Sequence, residues 1–269
     1  MVLEMLLKVF IFPGFLFMSA YSFLVEYLDR KIYARMQNRV GPPWYQPMAD
    51  FFKLMGKSEI IPEDANPLMF RLLPLIALAS VATAFTYIPI YGLKATSSFS
   101  GDIVIVLYFL TMVPLTSFLA GWYSRNAYAT IGATRVLTQM FAYEVPLFMS
   151  ILAPALIADT WSITEMAAYY AAHPMHALIN IPALVVGIIS IQCKLERAPF
   201  DTPEAETEIV SGVLVEYGGK LLAMFKLAVH CELVLVISFY SAIFLPFFTG
   251  IAWVDSLYSC AYESYNGKT

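Results

Sequence analysis

The chain has 269 residues, of which 59% are apolar and 13% charged, with 16 Lys and Arg against 20 Asp and Glu for a net charge of −4. Ordinary soluble domains carry about 25% charged residues, so this composition excludes a soluble enzyme and implies an integral membrane protein, while the small net charge gives no reason to expect nucleic acid. Cys193, Cys231 and Cys260 lie far apart with no CxxC pairing; this excludes a sequence-local zinc or iron–sulfur site and a disulfide framework, so any redox centre belongs to another chain.

A spanning helix needs about 20 mostly apolar residues. Taken in chain order, such runs predict helices near 5–27, 71–92, 102–122, 136–158, 175–193 and 221–248. The first run has no basic leader or small-residue cleavage site before it, so it is expected to stay as a helix. The last is long enough to tilt, to kink at Pro246 or to begin outside the lipid. The fold class is therefore all-α, about six transmembrane helices forming one membrane domain over 1–269, with no internal repeat or low-complexity tract.

Arg30, Lys31, Arg35, Arg39, Lys53, Lys57 and Arg71 fall between the first two runs; Arg125 and Arg135 follow the third; Lys194, Arg197 and Lys220 follow the fifth. Only Lys94 and Lys268 lie on the opposite side. The positive-inside rule then puts the three basic loops in the cytoplasm and the N-terminus outside, in a cell (inner or plasma) membrane.

Within the first loop, 28–70, the apolar residues Met48, Phe51, Phe52, Met55 and Ile60 fall mostly on one helical face, with Asp50, Lys53 and Lys57 on another. An amphipathic helix along the cytoplasmic surface is expected; periodicity alone favours a surface anchor over the wall of a binding site.

The fourth run holds Glu144, followed by Pro146. An ionisable group there costs about 2.5–3.5 kcal/mol on insertion scales and usually lines an ion path or meets a partner. The segment 193–220, "CKLERAPFDTPEAETEIVSGVLVEYGGK", carries Glu196, Asp201, Glu204, Glu206, Glu208 and Glu216. Pro203 suits a helical first turn with Asp201 or Thr202 as its cap, which would set Glu204 and Glu208 one turn apart. Mutual repulsion would then raise their proton affinity. By composition alone, however, a charge run of this kind reads as a solvated loop.

In the sixth run Glu216, Lys220 and His230 share a helical face, Lys226 flanks it and Glu232 points the opposite way. Glu216 and Lys220 could be a boundary i, i+4 pair, and His230 could satisfy a backbone carbonyl or carry protons. His173 and His176 read as outer-loop residues. There is no GxSxG, Walker A, HExxH or GxGxxG pattern, so no catalytic residue and no metal ligand is assigned.

Three stretches resemble one family, the H-type membrane subunit of respiratory complex I and its relatives in membrane-bound energy-converting hydrogenases: "EYLDRKIYARMQNRVGPPWYQPMADFFKLMGKSEIIPEDA", "AYEVP" and "ERAPFDTPEAETEIVSGVLVEYGG". They occur in the family's order over residues 26–219. "RAPFD" and "EAETEIVSG" are the specific elements; "AYEVP" is weak. The resemblance implies a membrane component with no active site of its own, joining a redox arm to an ion-pumping membrane arm. It would bind no cofactor; iron–sulfur clusters and a nickel–iron site would lie in partner subunits. The expected partners are hydrogenase-like large and small subunits, a ferredoxin-like subunit, and antiporter-like and small membrane subunits.

By the same resemblance Asp201, Glu204, Glu206 and Glu208 would be cavity-side acids, with Glu144 and Glu216 continuing a proton path; Lys226 and His230 are added to it from the sixth run. Arg30, Arg35, Arg39, Gln46, Asp50 and Arg197 would form the redox-arm interface. The connection from Gly41 to Gln46 is clipped relative to quinone-reducing members and is closer to the hydrogenases. Val229 stands where a Glu usually follows "F-x-L-A", which suggests a rerouted path. Family members have about eight spans against six here. The expected function is the membrane subunit of a ferredoxin-linked, ion-translocating hydrogenase; a quinone-, phenazine- or sulfur-reducing relative, an independent transporter and a plain structural anchor are the alternatives.

Overall fold

The computed structural model describes residues 10–11, 14–89, 95, 97–197, 199–203 and 205–244, without the side chains of residues 174, 206 and 207. Among these residues all regular structure is helical: α1 (Phe15–Met36), α2 (Gln46–Met55), α3 (Pro67–Phe85), α4 (Asp102–Tyr123), α5 (Ala127–Ala158), α6 (Ile163–Ala172), α7 (Pro174–Ile179), α8 (Ile181–Lys194), α9 (Glu206–Ile209), a 3-10 turn (Gly212–Leu214) and α10 (Gly219–Phe244). Four of them, α3, α4, α5 and α10, are long and apolar enough to cross a membrane, and α8 is a shorter apolar helix. The architecture is that of an integral membrane protein.

Local chemistry explains several boundaries. Asn66 caps α3 by accepting from the Leu68 and Met69 amides at 3.1 and 3.4 Å, and Pro67 sits at the first helical position where its missing N–H costs nothing. Asn126 caps α5 by accepting from the Tyr128 amide at 2.8 Å. This helix therefore starts at Ala127, well before the expected 136, because the small and polar residues after Asn126 are helical without being apolar. Its 32 residues reach about 48 Å, longer than a hydrocarbon core of about 30 Å.

Two expected spans differ from the structure. The fifth, 175–193, is interrupted at Asn180, with Pro182 just after it. Asn180 donates to the Tyr170 hydroxyl at 2.7 Å, and Tyr170 donates to the Pro154 carbonyl at 2.8 Å, so the break is bonded into the bundle. The remaining α8 spans about 21 Å. The first, 5–27, carries on as α1 past Glu26, Asp29, Arg30 and Lys31 to Met36; positions 5–9, 12 and 13 lie outside the described residues. Likewise the sixth is described only to Phe244, so Pro246 and Cys260 lie outside, as do Lys94 and Lys268.

The amphipathic α2 is present and its Phe51 ring packs on Phe23 of α1, with centroids 5.5 Å apart. It ends at Met55, so Ile60 is not on its apolar face but exposed. α10 is the axis of the fold: it packs on α1, α2, α3 and α6, while α4 packs on α3 and α5, and α5 on α8. The main core joins Met18, Phe85, Val106, Ile151, Leu235 and Phe239. A second cluster stacks Tyr217 on Phe70, with centroids 3.9 Å apart, and sets it edge-on to Phe225. Burial there pushes the Tyr217 phenol well above its usual range, so it stays neutral.

Gly219, at φ +58°, opens α10 directly against the first long loop: a Cβ there would lie 2.5 Å from the Ser58 carbonyl oxygen. This contact brings the 46–57 region and the start of α10 together and so shapes the site below.

Candidate functional site: a charged network between α1, α8 and α10

Ionisable residues enter the bundle from three helices. On α1, Met18, Ser22 and Glu26 recur at i, i+4 spacing and form its buried face. Glu26 is placed inward by that periodicity, and both its oxygens are used: Oε1 accepts from Arg30 Nε at 2.6 Å and Oε2 lies 2.8 Å from His230 Nδ1 of α10. Arg30 also donates to Asp50 Oδ2 of α2 at 3.1 Å, and Gln46 Nε2 donates to Asp50 Oδ1 at 3.0 Å. His230, Glu26, Arg30, Asp50 and Gln46 thus form one chain across three helices.

A second pair lies deeper. Lys194 closes α8 and its Nζ lies 2.7 Å from Glu232 Oε1, the two side chains being 1% and 5% exposed. The same Nζ donates at 2.7 Å to the Leu110 carbonyl of α4. That carbonyl is one turn before Pro114, which has no N–H to offer it, so the lysine takes the place of the missing helix donor. Removing either charge of such a pair leaves its partner buried and uncompensated, which costs about 3–5 kcal/mol.

Glu26, Arg30 and His230 of the first set and Lys194 and Glu232 of the second line one cavity of about 270 Å³, together with Lys226. A neighbouring cavity of about 210 Å³ lies toward α2 and shares Arg30, Lys226 and His230 with it. Chemically, this is a polar chamber inside an apolar bundle, with a hydrogen-bonded imidazole–carboxylate pair on its wall. Such a pair can hold a proton on either member or pass it on.

The acidic loop is arranged differently from the expectation. Pro203 does not start a helix; the helical turns described in the loop are Glu206–Ile209 and the 3-10 turn Gly212–Leu214, so the cap by Asp201 or Thr202 is not formed. Thr202 instead donates to Gln139 Oε1 of α5 at 2.6 Å, while Gln139 Nε2 donates to the Cys193 and Phe200 carbonyls at 2.7 and 2.8 Å. Those bonds determine the loop's course and override the sequence signal for a helix start. Glu208 pairs with Arg135 at 2.7 Å on the surface and Asp201 is exposed. Glu204 and the Glu206 side chain lie outside the described residues.

Glu216 precedes α10 rather than lying on it, so it shares no helical face with Lys220 and His230; Gly219 ends the preceding turn, and Glu216 accepts from Asn126 Nδ2 at 2.5 Å. Glu144 is half-buried on α5 beside Tyr143, whose ring centroid lies 5.5 Å from Lys194 Nζ. Arg197 pairs with Asp29 of α1 at 3.0 Å. Arg35 and Arg39 are exposed, and no carboxylate partner is found for them among the described residues. No group of three or more metal-ligating side chains occurs among the described residues.

Of the expected site residues, then, the structure gathers Arg30, Asp50, Arg197, Lys226 and His230 around two adjoining cavities, with Gln46 bonded to Asp50 beside them. Asp201 and Glu208 are left at the surface. Sequence reasoning misses Glu26 and Lys194, and it turns Glu232 away from the path. Glu26 carries a signal, an acid three positions before the Asp29–Arg30–Lys31 run but still inside an apolar stretch. Lys194 reads as a basic loop residue; only the three-dimensional meeting with Glu232 and the Pro114-freed carbonyl reveals it as buried.

Comparison with known proteins gives a consistent picture. The NADH dehydrogenase family model matches residues 7–259. The chain is 33% identical over 229 residues to the H-type subunit of NADH-quinone oxidoreductase from Orientia tsutsugamushi, covering 82% of this chain and 64% of that protein. It is also 33% identical over 270 residues to the H-type subunit numbered 2 of NADH-quinone oxidoreductase from Geobacter metallireducens, covering 90% of this chain and 77% of that protein. The chain thus spans just under two thirds of the length of the Orientia relative. Among solved structures, a chain of the membrane-bound sulfane sulfur reductase (MBS), an archaeal respiratory membrane complex, superposes with a TM-score of 0.79 at 28% identity, covering 98% of this chain and 86% of that one.

Proposed function

We propose that this chain, which belongs to the NADH dehydrogenase family as a homologue of the H-type subunit of NADH-quinone oxidoreductase, is the membrane joint of a complex I-like oxidoreductase that couples electron transfer to ion movement. The observation that carries the reading is the charged chamber between α1, α8 and α10. Buried charges are costly and are kept in membrane helices chiefly where they serve an ion or proton path. In this reading the Glu26–His230 pair takes up a proton when charge changes at the redox arm, and Lys194–Glu232 receives the electrostatic effect deeper in the bundle. Arg30, Gln46 and Asp50 tie the surface helix α2 to that pair, so movement of a docked partner on α2 reaches Glu26 directly. Glu144 continues the path beyond Lys194, and Glu216, Lys226 and the acids of 201–208 would supply it with protons.

The partners in this proposal are hydrophilic subunits holding iron–sulfur clusters and antiporter-like membrane subunits; the basic loops face the cytoplasm. For the electron acceptor we propose the hydrogenase type, with nickel–iron chemistry in a partner, on the strength of the clipped Gly41–Gln46 connection. A second reading is favoured by the near-complete overlap with the sulfane sulfur reductase chain: a sulfur species as acceptor, with no nickel.

The test uses the intact complex, extracted in mild detergent with this chain as bait. Nickel with hydrogen evolution from reduced ferredoxin supports the hydrogenase type; polysulfide reduction without nickel supports the second reading. Quinone reduction with neither overturns both. Independently, Glu26→Gln and His230→Gln should lower ions moved per electron in vesicles while the complex still assembles; unchanged coupling in both variants overturns the path.

A further inference from the structure

A cluster of rings lies where α6 and α7 join the end of α5 to the start of α8, the length of α8 away from Lys194. At that junction the sequence reads His173, Pro174, Met175, His176. The two imidazoles lie side by side, with centroids 5.5 Å apart and planes 12° apart. One residue orients both. His173 Nδ1 lies 3.2 Å from the Tyr169 carbonyl oxygen, and His176 Nδ1 lies 2.8 Å from the Tyr169 hydroxyl. A carbonyl oxygen only accepts, so the His173 Nδ1 carries a proton and its Nε2 keeps a lone pair. Tyr169 is held in turn: its ring meets the buried Tyr170 edge-on at 5.4 Å, and Tyr170 is bonded to Pro154 and Asn180. Neither Nε2 has a hydrogen-bond partner among the described residues, with His173 exposed and His176 half-buried.

Ring packing accounts for the closeness of the two histidines, but not for both Nδ1 atoms being turned to one tyrosine. A histidine that binds metal usually bonds one ring nitrogen to a carbonyl or another polar group, which fixes the ring and leaves the other nitrogen for the ion. Both histidines follow that pattern. The donor set also selects the ion: imidazole nitrogens suit zinc and its transition-metal neighbours, whereas magnesium and calcium require oxygen ligands. We propose that His173 and His176 form a two-histidine site for a divalent transition-metal ion of the zinc type, bound through the two Nε2 atoms with water completing its coordination. Tyr169 is the positioning residue, its hydroxyl accepting from His176 Nδ1 when the ion is bound. The ion ties the end of α6 to α7 and stiffens the connection from α5 to α8 beside the break at Asn180. Structural zinc sites use four protein ligands, so a site with two is exchangeable and suits regulation. The inference uses no residue of the coupling path and stands without it.

The experiment takes the whole complex in mild detergent, adds zinc chloride alone and follows amide exchange of peptides covering 163–180 by mass spectrometry. Exchange there is expected to slow, to level off as zinc is raised and to recover when a chelator is added; magnesium chloride should have no effect. Tyr169→Phe, which removes only the hydroxyl behind one ligand, should raise the zinc concentration for half-protection about tenfold. His173→Gln and His176→Gln, which remove a ligand outright, should each raise it by more than that. Without zinc the three variants should exchange as the parent does. No zinc effect on the parent, the same effect with magnesium, or protection that survives in both histidine variants overturns the proposal. Zinc-free exchange in the histidine variants that rises by as much as zinc lowers it in the parent also overturns it, and makes the pair a packing element.

Discussion

The 193–220 loop and the chamber between α1, α8 and α10 are both rich in charge, yet they handle it in opposite ways. In the loop the acids at 201 and 208 lie at the surface: Glu208 meets Arg135 with 60% of its side chain exposed, and Asp201 faces solvent. In the chamber Glu26, Lys194 and Glu232 are nearly dry, and each has a named partner. Charge density in the sequence therefore measures hydration in the first case and constraint in the second. A buried pair is expensive to break, and a surface pair is nearly free.

The largest effect is expected at Lys194. Lys194→Met leaves Glu232 buried without its cation and the Leu110 carbonyl without a donor, and should cost about 3–5 kcal/mol. Thermal unfolding in detergent or the yield of folded chain reads this. Adding Glu232→Leu should recover most of the loss, because an apolar pair of similar volume is often neutral or better. If the single variant melts like the parent, the pair does not exist as described.

Next comes the Glu26–His230–Arg30 chain. A double-mutant cycle of Glu26→Gln and His230→Gln should give a coupling of about 0.5–3 kcal/mol in stability, the range for residues in one network. A cycle pairing Glu26→Gln with Glu208→Gln should be additive within about 0.5 kcal/mol, since the two share no partner. Coupling in the second cycle as large as in the first would join loop and chamber into one system and erase the difference between them.

Gly219→Ala addresses the geometry that joins them. The new Cβ would lie 2.5 Å from the Ser58 carbonyl oxygen, at a φ of +58° that disfavours side chains, so a loss of more than about 1 kcal/mol is expected. The variant should also loosen the 46–57 region, read as faster amide exchange there than in α5. Faster exchange throughout the bundle would mean that the glycine serves the whole core.

Much of this is legible in the sequence and some is not, for identifiable reasons. The four long apolar helices follow from hydropathy alone, and the Asn66–Pro67 start of α3 from capping chemistry. The broken fifth span escapes because the cue, Asn180 with Pro182, lies inside an apolar run, and its stabilising bonds come from Tyr170 and Pro154 elsewhere in the chain. The start of α5 escapes because "AYATIGATR" is helical but not apolar. In the site, Arg30, Asp50 and His230 can be picked out one by one, but not their joint network. Lys194 is hidden twice over: a helix-terminal lysine next to a polar loop looks solvated, and the carbonyl it serves is orphaned by a proline 80 positions earlier, at Pro114.

The smallest effect should come from the feature that is loudest in the sequence. Glu208→Gln removes one partner of Arg135, but Arg135 keeps the Thr202 carbonyl at 3.2 Å and water. With Glu208 60% exposed, the pair should contribute about 0–1 kcal/mol and fade as salt is raised. Unfolding of the variant should therefore match the parent within about 1 kcal/mol at low salt and converge with it at high salt. A larger loss that persists at high salt would mean that the loop is desolvated when its partners are bound. In that case the contrast between loop and chamber would belong to the isolated chain, and the acids of 201–208 would rejoin the chamber as part of one buried path.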